Sequence, residues 1–199
     1  KNAENRYTSY EIGTAKKILN KMTNSQKNFL KKSLLGGLAA NDRQYSIKDL
    51  NYEIENYKNI SHKDLRENLK FFLSKIFTTL KECDIKYCIH PDDPPYKIYG
   101  LPRIISNESD IKFITSIFKD ENIGITLCTG SLGVNKKNNF NRIIKKYGGY
   151  INFVHLRNII KEKNSKNFYE SSHLEGDLNM VEIIKNLLNE EKKRRKKKK

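Results

Sequence analysis

The chain has 199 residues, 37% hydrophobic and 31% charged, which suits a globular domain with its own core and a charged surface. No apolar run approaches the ~20 residues that cross a bilayer. The opening KNAENRYTSYEIG has neither a Met nor the apolar stretch of a signal peptide, and starts as an interior fragment would. The net charge of +16 is uneven, since KKRRKKKK at 192–199 supplies half of it. The remaining Lys residues spread along helix faces, without the basic-aromatic stripe of a nucleic-acid reader.

Residues 9–60 read as helices alone. SYEIGTAKKILNKM places Ile12, Ala15, Ile18 and Leu19 at helical spacing behind a candidate cap at Ser9. NSQKNFLKKSLLGGLAA presents Leu30, Leu34 and Leu35 and is expected to stop at Gly36-Gly37. SIKDLNYEIENYKNI opens on Ser46 with Asp49 three residues later, a capping pattern. The longest helix is expected over 61–83, capped by Ser61 or Asp64, with Leu65, Leu69, Phe72, Ile76 and Leu80 turned inward.

The pattern then changes. IKYCIH (85–90), GITLCTG (124–130) and INFVHLR (151–157) are short apolar runs, rich in β-branched and aromatic residues and ended by polar residues or Gly. Helical stretches at 109–121, 138–148 and 177–191 follow them. Strands that alternate with helices and are apolar almost throughout indicate α/β organisation with parallel strands covered on both faces. The intervals between strand ends suit the roughly 31 residues per βα unit of a (β/α)8 barrel, and equally a doubly wound sheet. No G-x-G-x-x-G follows any strand, which removes the dinucleotide-binding version of the latter. The expected organisation is a helical segment at 1–60 inserted in or flanking a barrel, three βα units over 61–191, and a disordered basic tail at 192–199.

Each strand finishes on a residue type that binds metals: His90, Cys128 and His155. In parallel α/β folds the carboxyl ends of the strands share one rim, and sites are built there. Any one of the three alone would read as a hydrogen-bonded or packed residue. Three at matching positions point to a metal site. Imidazole and thiolate suit Zn²⁺, Fe²⁺ or Cu better than Mg²⁺ or Ca²⁺, and an added carboxylate would favour Fe²⁺ or Mn²⁺. The loops behind the strands add candidates. PDDPPYKIYGLPR offers Asp92 and Asp93 among prolines that fix φ, and HLRN places Arg157 two residues past His155, a fork for a carboxylate. ESSHLEGD adds His173 and Asp177. Cys83 and Cys88 read as packing residues. With three cysteines and no C-x-x-C pair, a reducing compartment such as the cytoplasm is expected.

HPDDPP, YGLPRI, LCTGSLG, FVHLRN and FYESSHLEGDLNM, in that order, resemble the motifs of the D-mannonate dehydratase family. With NDRQYSIKDL and SHKDLRENLKFFL, the resemblance covers roughly residues 7–191. It implies a partial (β/α)8 TIM barrel of the xylose isomerase-like type, with an N-terminal helical segment. It also implies removal of water from D-mannonate to give 2-dehydro-3-deoxy-D-gluconate in glucuronate breakdown, with Mn²⁺ or Fe²⁺ as cofactor. His90, Cys128 and His155 would then be metal ligands, and Arg157, His173, Asp92 and Asp93 would face the sugar acid. The family continues into an Arg-Pro-Asp-His-Gly segment carrying a fourth ligand and an acid/base His, which this sequence lacks. The 199-residue chain is therefore expected to be a partial barrel without turnover of its own, with a homo-oligomer as one arrangement open to it. Two alternatives stay open: another enzyme of the same barrel superfamily, or a basic fragment that binds nucleic acid through KKRRKKKK.

Overall fold

The computed structural model describes residues 4–35, 46–163 and 166–197. The Gly36-Gly37 helix stop, Lys198 and Lys199 lie outside them. The chain divides into two units, residues 1–61 with 97–102, and residues 62–96 with 103–199.

In the first unit, α1 (Ser9–Lys21), α2 (Asn24–Leu35) and α3 (Ile47–Asn56) follow one another. The cap of α1 is Thr8 rather than Ser9. Thr8 has Glu11 three residues ahead, so its hydroxyl accepts the Glu11 N–H while the Glu11 carboxylate accepts the Thr8 N–H. Ser9 would look toward Ile12, which cannot reciprocate. Ser46 and Asp49 make the same reciprocal cap on α3. No side chain of these three helices is buried among the described residues, and Phe29, Ile18 and Leu34 are exposed.

The second unit holds α4 (His62–Glu82), β1 (Tyr87–Ile89), α5 (Glu108–Ile117), β2 (Ile123–Cys128), α6 (Thr129–Val134), α7 (Phe140–Tyr147), β3 (Ile151–His155), β4 (Asn158–Lys161), β5 (Phe168–Ser171) and α8 (Met180–Lys197). Strands β1, β2 and β3 form one parallel sheet in that order. The central strand β2 is buried at every position, as its unbroken apolar run requires. Ile125 and Leu127 of β2 pack with Ile111 and Ile114 of α5, Ile143 and Ile144 of α7, and Met180 and Ile183 of α8. Leu73 and Leu80 of α4 close on Ile123. Asn107 caps α5, its side-chain oxygen accepting the N–H groups of Ser109 and Asp110. Replacing it with Ala is expected to cost about 1 kcal/mol, read as a lower urea midpoint with an unchanged m-value.

Two segments depart from the sequence expectation. Residues 158–161 and 168–171, read as loop, pair as an antiparallel hairpin from Asn158↔Ser171 to Lys161↔Phe168. Four-residue strands with polar positions carry too weak a pattern to read. What fixes them is the buried Asn158, whose amide oxygen accepts the Leu178 N–H while its nitrogen donates to the His173 and Leu178 carbonyls. The disordered tail expected at 192–199 is, over 192–197, the last part of α8. Arg194 donates to the carbonyls of Gly148 and Ile151, while Lys193 and Arg195 pair with Glu190 and Glu191 one turn back.

Candidate metal centre

Because β1, β2 and β3 run parallel, their carboxyl ends meet on one edge of the sheet. His90 follows β1, Cys128 ends β2, and His155 ends β3 in register with Cys128. The ligand-type atoms of the three side chains all lie within 4.8 Å of one another. His155 Nδ1 is 3.4 Å from His90 Nε2 and 3.6 Å from Cys128 Sγ. Ligand atoms held about 2.0–2.3 Å from one tetrahedral ion would sit about 3.3–3.6 Å apart, so these two edges match a shared ion. His90 Nδ1 lies 2.7 Å from the Pro91 carbonyl. Donation to that oxygen puts the proton on Nδ1 and leaves the Nε2 lone pair aimed at the cluster, the support a metal-binding imidazole needs. The proline after His90 belongs to that support.

Cys128 is fully buried, and burial is the main influence pushing its thiol pKa up; the N–H of Ser131 and the charge of Arg157 pull the other way. A buried thiol of this kind is a weak nucleophile but a good ligand once a cation replaces its proton. Two imidazoles and a thiol fit a divalent transition metal.

Around the cluster, the predicted residues divide into two groups. Asp92, expected to face substrate, braces its own loop. Its carboxylate accepts the N–H groups of Ile104 and Ile105 at 2.7 and 2.6 Å, and its own N–H donates to the Ile105 carbonyl. Asp93 and Arg157 do meet: Arg157 Nη1 donates to Asp93 Oδ2 at 2.6 Å. Burial would lower the Arg157 pKa, but its bond to Asp93 and that residue's charge outweigh this and raise it. Arg157 Nε is buried with no hydrogen bond. Gly130 makes room for it, since a Cβ there would fall 2.1 Å from that nitrogen. His173 Nε2 reaches the Leu156 carbonyl at 3.0 Å, which holds it beside the His155–Arg157 segment. Asp177 instead accepts the Lys161 N–H at the hairpin.

Two further residues, the hydroxyl pair of CTGSLG, support the site. Ser131, buried, donates its N–H to Cys128 Sγ and its hydroxyl to the Asp92 carbonyl, joining the Cys128 and His90 loops. Thr129, also buried, donates its hydroxyl to the Arg157 carbonyl and accepts the Arg157 N–H. Both lie in CTGSLG, where two hydroxyls directly after a candidate ligand are the signal.

A family profile described as D-mannonate dehydratase (UxuA) matches residues 3–198. A mannonate dehydratase of Marinomonas sp. (strain MWYL1) is 38% identical over 192 residues, 96% of this chain and 49% of that protein. One of Rhizobium meliloti (strain 1021) is 35% identical over 190 residues, 93% of this chain and 47% of that protein. The chain thus spans about half the length of the curated relatives it matches. The crystal structure of mannonate dehydratase from Streptococcus suis serotype 2 superposes with a TM-score of 0.63 at 39% identity, covering 69% of this chain and 40% of that one.

Proposed function

This chain belongs to the D-mannonate dehydratase family, and from that premise we propose that it supplies the metal-holding part of a site that removes water from D-mannonate to give 2-dehydro-3-deoxy-D-gluconate. The observation that carries the proposal is the convergence of His90, Cys128 and His155 within 4.8 Å at three parallel strand ends. Mn²⁺ or Fe²⁺ held there would supply a Lewis acid for the charge that develops on the sugar acid as its C2 proton leaves. His90 and His155 would bind through neutral nitrogens, and Cys128 as thiolate. Arg157 would hold the substrate carboxylate through its guanidinium, as the carboxylates of Asp93 and Glu170 that now face it give way. His173 and Asp93 would line the same end of the sheet. Free Cys83, Cys88 and Cys128, with a thiol as ligand, suit a reducing cytoplasm, and no described helix is long and apolar enough to cross a membrane.

The test is a Co²⁺-loaded sample titrated with D-mannonate. A shift of the cobalt visible bands, weaker with the C2 epimer D-gluconate, is the expected result, and bands unmoved by mannonate at millimolar concentration would overturn the proposal. Arg157→Lys is expected to weaken that response about tenfold or more, because a point charge replaces a fork, while Co²⁺ affinity stays within about threefold.

A further inference from the structure

The sheet register between β2 and β3 is not continuous. Ile125 pairs with Ile151, but Thr126 pairs with Phe153, so Asn152 is an extra residue on β3. Such a bulge changes which face the rest of the strand presents. His155 lies four residues after Ile151, and regular alternation would put both on one face. Ile151 is buried in the core beneath the helices. With Asn152 as a bulge, Val154 returns to that core and Phe153 is turned out, 58% exposed. His155 falls opposite Cys128 instead of Val154.

The bulge is held by its own side chain. Asn152 Nδ2 donates to the Glu121 carbonyl at 2.9 Å and to the Tyr87 carbonyl at 3.3 Å, tying β3 to β1 across β2. The crossing passes Gly124, where a Cβ would lie 2.1 Å from the Tyr150 carbonyl and 2.6 Å from Asn152 Nδ2. We propose that Asn152, seated over Gly124, is a positioning residue that sets the face of β3 and so delivers His155 to the ligand cluster. This rests on the reading of His90, Cys128 and His155 as a metal site, but it predicts a placement that can be measured without any metal.

The test uses the full chain with Cys83 and Cys88 replaced by Ser, and oxidative cross-linking of Cys128 to a cysteine introduced by His155→Cys or by Val154→Cys. Paired neighbours on adjacent strands are within disulfide reach only when both side chains share a face. The expected result is efficient cross-linking with His155→Cys and little with Val154→Cys. Adding Asn152→Val, which removes both hydrogen bonds and favours a regular strand, should lower the first by about tenfold or more and raise the second. Deleting residue 152 should leave the first at its parent level, because the shortened strand keeps the same pairing without a bulge. A folded Asn152→Val protein with unchanged cross-linking would overturn the proposal. Where Asn152→Val does not fold, the deletion decides: cross-linking kept supports it, cross-linking lost overturns it. Co²⁺ titration of the unsubstituted chain separates the two readings. Absence of a thiolate-to-cobalt band would defeat the metal site and leave the placement result standing.

Discussion

Cys128→Ala is expected to abolish the thiolate-to-cobalt absorption of the Co²⁺-loaded chain and to weaken metal binding by at least about 100-fold. Loss of a residue that merely orients a ligand costs about 10–100-fold, and Cys128 is itself a proposed ligand, fully buried between the two imidazoles' strands. The substitution removes the only sulfur of the cluster and leaves two histidines that are exposed at the rim. Stability should change less than metal binding, because Ala leaves a void of one sulfur atom and frees the Ser131 N–H, while the main core contacts of β2 come from Ile125 and Leu127. Titration followed by absorption, with urea unfolding of the metal-free protein alongside, separates loss of a ligand from loss of the fold.

Asp92→Ala is expected to lower stability by about 3 kcal/mol, and metal affinity with it. The Asp92 carboxylate takes two backbone N–H groups, those of Ile104 and Ile105, and bonds to a charged acceptor are worth about 1.5–3 kcal/mol each. Ile105 is almost fully buried, so its N–H would be left without a partner. The same loop carries Pro91, whose carbonyl orients His90, and it is tied to Ser131 through the Asp92 carbonyl. At about 2–4 °C per kcal/mol for a chain of this size, the thermal midpoint should fall by roughly 6–12 °C. A substrate-contacting Asp would show the opposite pattern, with an unchanged midpoint and weaker sugar-acid binding. Asp93→Asn should lie nearer that second pattern, because Asp93 meets Arg157 rather than loop backbone.

The site was more legible in the sequence than its scaffold. His90, Cys128 and His155 stand out because polar ligand types end three apolar runs, and parallel topology then brings those ends together. The distinction between Asp92 and Asp93 was not legible. Neighbouring carboxylates between prolines look alike until the chain folds Ile104 and Ile105 back onto one of them. The Asn152 bulge was hidden for a related reason. INFVH reads as a plain strand, and only its partner's register shows that Ile151 and His155 serve opposite faces. The β4–β5 hairpin was missed because its determinant, Asn158, acts through contacts with His173 and Leu178, 15 and 20 residues away in sequence. Helix ends fared better where the signal is reciprocal, as at Ser46 and Asp49. The basic end of α8 misled because its composition suggests an unfolded tail, whereas Arg194 finds the Gly148 and Ile151 carbonyls.

The most direct test of the metal centre is X-ray absorption at the zinc edge on the chain loaded with one equivalent of Zn²⁺. A shared site made by His90, Cys128 and His155 predicts one sulfur at about 2.3 Å and two imidazole nitrogens at about 2.0–2.1 Å in the inner shell, with the sulfur absent from Cys128→Ala. An inner shell of oxygen and nitrogen alone in the unsubstituted chain would contradict it.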